Sequence, residues 1–327
     1  MPHPVNLSRR HLCLAGLAVA GAPRHAMAQD FPTRPLKVLV GFSAGSPSDA
    51  LARGVAEQMS RLFDQPVIVE NKPGAGGIVA IKTLLQSPAD GYSMLVVSAA
   101  HAATPAIRRK LDFDPAGDMA GVTRIANVPS MLVTNPNLGI RTLAELLEKI
   151  RQSPGALSYS TPSVGSANHF AAAYLLAKTG LRATDIPYKG VPEAVTAVLS
   201  GECHFSFVPV PNVVNFVREG RLLALAASTG MRSKVLPDVP TVAEAGVPGY
   251  AFDPWFGLLT QSAVPPAIRA RLVAASQQAL AVEELRGRFE LIGADISPLP
   301  GEAFDAYIRE EIAKFKSIAA DAKIESS

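Results

Sequence analysis

The sequence predicts an α/β protein built as two lobes. Short apolar runs alternate with amphipathic helical periods along the chain, and small-residue turns join several of the runs to the helix that follows. Length is the third observation: 327 residues less a 28-residue leader leave 299, enough for two hydrophobic cores at about 150 residues each.

The leader has the three-part layout of an export signal: Arg9-Arg10, an apolar run from Leu12 to Ala22, and Ala26-Met27-Ala28 before Gln29. Cleavage is expected near Ala28, with delivery to the periplasm. Ser8-Arg9-Arg10-His11-Leu12 also resembles a twin-arginine signal, so the export route stays open. Cys13 follows Arg10, His11 and Leu12 in place of the small residues that lipidation requires. No later stretch reaches the roughly 18 uninterrupted apolar residues of a membrane span.

The leader removes Arg9, Arg10 and Arg24 and no acid, so Lys plus Arg falls from 31 to 28, against 28 Asp plus Glu. A mature chain near neutrality, with no basic block, argues against nucleic acid or a membrane surface as partner. Only Cys203 follows the leader, so no internal disulfide can form and stability rests on burial.

The first strand is expected at Leu36 to Val40. It feeds the turn Gly41-Phe42-Ser43-Ala44-Gly45-Ser46 and a helix with Leu51, Val55, Met59 and Leu62 on one face. Ser46 reads as the N-cap, Pro47 as the first helical residue and Asp49 as the acid of a capping box. Further strands are expected at Val67 to Val69, Met94 to Ser98, Met131 to Thr134, Phe205 to Val208, Leu222 to Ala226 and Phe256 to Leu259. Val191, Val195 and Leu199 form another helical stripe, closed by Gly201 as a C-terminal cap. The last helix carries Phe304, Ile308, Ile312 and Phe315 on the side that packs. Strands alternating with helices imply largely parallel sheets.

The first turn fits two kinds of chemistry. Gly41-Phe42-Ser43-Ala44-Gly45 matches G-x-S-x-G, the strand-to-helix elbow that exposes a serine nucleophile in a hydrolase. Such an enzyme needs an acid and then a histidine. After the leader only His101, His169 and His204 are available, and no oxyanion segment of the HGGG type precedes the elbow. The other reading is an anion cradle, in which free backbone N–H groups and the helix dipole favour a carboxylate without a charged side chain. Pro47 has no N–H to give and Asp49 is negative, so an anion belongs towards Ser43 to Ser46.

Two later turns are alike. Ser163-Val164-Gly165-Ser166-Ala167-Asn168-His169 and Tyr188-Lys189-Gly190-Val191-Pro192 each lead from a short strand into a helix. In open α/β sheets such turns lie at the carboxyl ends of strands, where ligands bind. His169 falls in a first helical turn and either donates to a ligand or joins the capping network. Lys189 is either a countercharge or a solvated lysine. Tyr188 reads as packing with a polar tip. Trp255 either lines a cleft or fills the crossover between lobes. The three histidines are far apart and Cys203-His204 are adjacent, which fits no familiar zinc spacing. Gly74-Ala75-Gly76-Gly77 lacks the endings of both nucleotide-binding glycine motifs. Neither a metal nor a cofactor is expected.

Several segments, in one order, resemble a known family. They are Phe31-Pro32-Thr33-Arg34-Pro35, the Gly41 to Asp49 turn, Val67-Ile68-Val69-Glu70-Asn71-Lys72-Pro73-Gly74-Ala75-Gly76-Gly77, and Pro88-Ala89-Asp90-Gly91-Tyr92. They continue with Gly165 to His169, Tyr188-Lys189-Gly190, and Leu236 to Gly246 followed by Trp255. The chain resembles the Bug-type receptors, the periplasmic solute-binding components of tripartite tricarboxylate transporters.

The resemblance implies a two-lobed periplasmic binding protein fold, type II-like, with a ligand cleft between the lobes and no catalysis. It places lobe 1 at 29–130 plus 253–327 and lobe 2 at 131–252. The implied partners are a small carboxylate and the membrane permease subunits of the transporter. Carried onto this sequence, the ligand-binding candidates are Phe42, Ser43, Ala44, Gly45 and Ser46 on one lobe. Ser163, Ser166, Ala167, Asn168, His169, Tyr188, Lys189 and Gly190 stand on the other, with Ser98 and His101 as further candidates after a first-lobe strand. Two departures bear on specificity: Ser46 stands where the family has a second Gly, and Gly201-Glu202-Cys203-His204 replaces Gly-Gln-Val-Asp. A receptor that signals instead of feeding a permease would carry the same residues.

Overall fold

A strand that is apolar on both faces must be covered on both, and the apolar runs of this chain are gathered into two sheets with helices packed around them. The computed structural model describes residues 31–322 and residue 324, so the leader and its expected cleavage at Ala28 lie outside the described residues. The chain begins with β1 (Leu36–Val40), α1 (Pro47–Phe63), β2 (Val67–Asn71), α2 (Ile78–Gln86), β3 (Ser93–Ser98), α3 (Ala100–Ile107) and β4 (Met119–Asn127). It continues through β5 (Ser130–Thr134), α4 (Leu143–Gln152), β6 (Ser158–Thr161), α5 (Ala167–Thr179), β7 (Thr184–Pro187), α6 (Val191–Leu199), β8 (Phe205–Pro209), α7 (Val210–Arg218) and β9 (Leu223–Ala227). It closes with β10 (Trp255–Gln261), α8 (Pro266–Ala281), α9 (Glu283–Leu291), β11 (Asp295–Pro300) and α10 (Gly301–Asp321).

One sheet has the order β11-β4-β10-β3-β1-β2 and the other β7-β6-β8-β5-β9. The expectation of largely parallel sheets needs correcting. β1 is parallel to β2 and β3, and β6 to β7 and β8, but β10 is antiparallel to β3 and β4, and β5 to β8 and β9. A parallel neighbour requires a long crossover, usually a helix. β5 and β10 instead arrive from the other sheet without one: β4 passes to β5 through Val128 and Pro129 alone.

Alternation along β1 sets the two faces. Val38 and Val40 face Leu51, Val55 and Met59 of α1, while Leu39 joins a second cluster with Leu95, Phe304 and Phe315. That second cluster also contains Phe170, Phe205 and Phe207 from the other sheet's side, so apolar packing runs from one sheet to the other. α10 makes the bridge: Phe315 meets Phe170 of α5 edge-on at 4.8 Å. Trp255 has no exposed surface, its Nε1–H donates to Glu311 Oε2 at 3.1 Å, and its ring meets Phe304 edge-on. Of its two sequence readings, packing at the crossover is the geometry found.

Candidate ligand-binding cleft

Because β1, β2 and β3 are parallel, their carboxyl ends share one edge, which gathers residues 41–46, 72–77 and 98–101. β6, β7 and β8 do the same for residues 162–166 and 188–190. The two edges approach each other: a Cβ added to Gly165 would collide with Ile107 Cδ1 at the end of α3.

The turns before α1 and α5 are built alike. Gly45 and Gly165 have φ of 80° and 82°, a conformation that suits glycine. Ser46 and Ser166 follow as N-caps with φ/ψ of −70°/159° and −68°/158°. Their N–H groups donate to the carbonyls of Ser43 and Ser163, both at 3.2 Å. Their hydroxyls accept from the N–H of Asp49 (3.3 Å) and His169 (3.2 Å). The side chain three residues on reaches back to the glycine: Gly45 N–H donates to Asp49 Oδ2 at 2.9 Å, and Gly165 N–H to His169 Nδ1 at 3.3 Å. The anticipated capping box is therefore displaced by one residue, from Ser46 N–H to Gly45 N–H.

This bracing consumes the N–H groups of Gly45, Ser46, Gly165 and Ser166. Among the described residues this leaves the N–H and hydroxyl groups of Ser43 and Ser163 together with the N–H groups of Ala44 and Val164, all on exposed backbone at the two tips. Ala44 lies exposed at the first tip, and Ala167 is the first residue of α5.

The supports differ. Asp49 is buried; burial disfavours its charge, yet hydrogen bonds from Arg53, Gly45 N–H and Asn71 outweigh that and hold its pKa below the usual carboxylate value. Asn71 Nδ2 also donates to Phe42 O at 3.0 Å, tying β2 to the turn. Burial lowers the pKa of His169, against the opposing pull of Asp185, whose Oδ2 lies 3.6 Å from Nε2. Burial likewise raises Asp185, opposed by His169 and by Thr161, whose hydroxyl donates to Asp185 Oδ1 at 2.8 Å. His169 Nδ1 accepts from Gly165 N–H and so carries no proton, which makes the ring neutral with its proton on Nε2, towards Asp185. Of its two sequence readings, the structure places it in the capping network.

Phe42, Ser98 and His101 come together in a shallow recess beside Gly76 and Gly77 with about 10 Å³ of room, the scale of one water or one hydroxyl group. A Cβ on Gly41 would stand 2.7 Å from Gly77 Cα, and Gly77 itself has φ of 98°, so close approach calls for glycine at the first position and backbone conformation at the second. His101 is buried, its Nε2 lies 2.9 Å from Pro115 O, and its Nδ1 has no partner.

The other candidates make contacts of their own. Asn168 points inward, donating to Phe207 O at 2.7 Å and fastening α5 to β8. Tyr188 turns its hydroxyl to Glu202 Oε1 (2.9 Å), Lys189 is exposed, and Gly190 caps α6 in extended backbone. His204 lies at the opposite end of the second sheet from the turns, where its Nδ1 accepts from Ser158 N–H at 3.1 Å. Asp185, Asn71 and Gly77, which complete the two supports and the recess wall, were not singled out as site residues; only contacts distant in sequence reveal them.

The receptor family model described as "Tripartite tricarboxylate transporter family receptor" matches residues 51–323. The chain belongs to this family. It is 30% identical to protein BugT of Bordetella pertussis over 304 residues, covering 92% of this chain and 93% of that one. Among solved structures, Rpa4515 of R. palustris with adipate superposes with a TM-score of 0.81 at 30% identity, covering 91% of this chain and all of the other. MatC from Rhodopseudomonas palustris with bound malate gives 0.77 at 28% identity, covering 88% and 99%. The two-lobed periplasmic binding fold expected from the sequence is therefore the fold of this chain. Among the described residues no helix is long and apolar enough to cross a membrane.

Proposed function

We propose that this protein is a periplasmic receptor that closes two lobes, 29–130 plus 253–327 and 131–252, on a small carboxylate and passes it to the permease subunits of a tripartite tricarboxylate transporter. The observation that carries the reading is the pair of matching turns, one on each facing edge, each presenting uncommitted Ser N–H and hydroxyl donors at a helix start. Adipate and malate, bound in the two related structures, are both small carboxylates. Ser43 and Ser163 are the first-choice contacts, with Phe42, Ala44, Ser98, His101 and Tyr188 to Gly190 around them.

The geometry does not favour the hydrolase alternative. His101, His169 and His204 are engaged with Pro115 O, Gly165 N–H and Ser158 N–H, and none of them hydrogen-bonds Ser43 among the described residues. The test is a thermal-shift screen of the leaderless protein against small carboxylates, adipate and malate included. Ligand at 100 times Kd should add about 2.7 kcal/mol to the native state. Failure of every carboxylate, together with a shift from a cationic solute, would sink the proposal; fluorophosphonate labelling that disappears in Ser43→Ala would restore the enzyme.

A further inference from the structure

His101 opens α3 at the carboxyl end of β3 and lines the first-lobe recess. A carbonyl oxygen can only accept, so the 2.9 Å contact with Pro115 O requires the proton on Nε2. The other ring nitrogen, Nδ1, is then a lone-pair acceptor, and it is buried without a partner. Burial pulls the pKa of His101 down to about 4, with the Pro115 hydrogen bond opposing, so the ring is neutral at ordinary periplasmic pH. Nothing else in the recess supplies charge: its walls are glycine backbone, Phe42, aliphatic side chains and Ser98.

A desolvated acceptor left unfilled is costly, and a carboxylate offered to it would set acceptor against acceptor with no proton between them. The recess is thus poorly suited to an anion and well suited to a hydroxyl. We propose that His101 Nδ1 accepts a hydrogen bond from a hydroxyl on the solute, so that the preferred ligand is a hydroxy acid: carboxylate at the Ser43 and Ser163 tips, hydroxyl in the recess. This rests on the receptor reading and specifies its substrate class. A site built to pair a hydroxyl discriminates strongly against the analogue lacking it, because its own acceptor is then stranded.

The experiment is calorimetric titration of the leaderless protein with matched acids: malate and succinate, 4-hydroxybutyrate and butyrate, 6-hydroxyhexanoate and hexanoate. At least one hydroxy acid should bind tenfold or more tightly than its partner. That preference should survive in part in His101→Asn, whose amide oxygen stands near the position of Nδ1, and vanish in His101→Phe. In the wild-type protein the ¹⁵N resonance of His101 Nδ1 should move upfield on adding the hydroxy acid and stay put with its partner, a readout that needs no variant to fold. Equal binding within every pair, or a preference unchanged in His101→Phe, overturns the inference and leaves the receptor standing. So does an Nδ1 resonance already hydrogen-bonded without ligand and unmoved by it, which assigns the acceptor to water. Binding of none of these acids, with the wider carboxylate screen also silent and a cationic solute giving the shift, removes the receptor reading and this inference with it.

Discussion

In the first lobe the Ser43–Ser46 turn is held by a carboxylate, and in the second the Ser163–Ser166 turn is held by an imidazole. Backbone angles and capping distances agree closely, so the turn geometry does not depend on which side chain supplies the brace. It depends on an acceptor placed three residues after the N-cap. What changes is the surroundings. Asp49 is bound into a charged network with Arg53 and Asn71, whereas His169 is neutral and faces Asp185. Gly45 has open space where a Cβ would go, whereas Gly165 is pressed against Ile107 of the other lobe. One turn is a self-supported tip; the other is part of the contact between lobes.

The largest effect should come from testing that contact. Gly165→Ala adds a Cβ in left-handed backbone and against Ile107, and should cost roughly 2–4 kcal/mol in urea unfolding. Gly45→Ala meets only the backbone penalty, about 1–2 kcal/mol. Equal losses would mean that the second turn is as free as the first. Removing the braces comes next. Asp49→Ala strands one N–H of Asn71 and the Gly45 N–H and should cost about 2–3 kcal/mol, discounted because Arg53 is half exposed. His169→Ala strands mainly Gly165 N–H and should cost about 1–2 kcal/mol. A reversed order would show that the charged network adds nothing to the first turn.

Acid should act through the buried histidines of both lobes. A histidine whose folded pKa is depressed stabilises the protein fully above its unfolded value of 6.5, and that stability drains as pH falls towards the folded value. His101, depressed to about 4, should alone remove roughly 2 kcal/mol between pH 6.5 and pH 5, and His169 adds to the loss. Asp185, raised by burial, works in the opposite direction: its folded-state protonation adds stability as pH falls towards 3.8. The contribution of Asp49 is intact above 3.8 and is lost only below it, so the first-lobe brace outlasts the second-lobe brace. Unfolding at pH 7 and pH 5 of the wild type and His101→Asn checks this: the variant should show a flatter profile. A wild type no weaker at pH 5 would refute it.

The turns were legible in the sequence because their determinants are local: a glycine for positive φ, a serine cap, and an acceptor three residues on all fall within seven residues. The strands before them were legible for the same reason. β4 was missed because Gly121 and Arg124 break its apolar run, and its pairing with β10 and β11 is settled far along the chain. β11 was missed because Pro298 and Pro300 argue against a strand; it survives as an edge strand with its register shifted between Ile296 and Leu299. The recess was half legible. Ser98 and His101 follow a recognisable strand, but the partner of Nε2 is Pro115 and the opposing wall is Gly77, neither of which local pattern can place.

The smallest effect concerns Ser46, where the resemblance of the first turn to the family implies glycine. Its N–H is spent on Ser43 O and its hydroxyl accepts from Asp49 N–H, so its evident work is that of a cap. Ser46→Ala should cost about 1 kcal/mol and Ser46→Gly only a few tenths, since glycine is tolerated at an N-cap. Ser166→Ala also loses the bond its hydroxyl donates to Ser163 O at 2.8 Å, so it should cost about 1 kcal/mol more than Ser46→Ala. Calorimetry on Ser46→Gly then separates the two roles this residue can have. Affinity for the bound acid unchanged within twofold leaves specificity to the tips and the recess. A tenfold change with stability intact would show that the Ser46 hydroxyl, while accepting from Asp49 N–H, also donates its proton to the solute, and that the first turn contributes two serines in place of one.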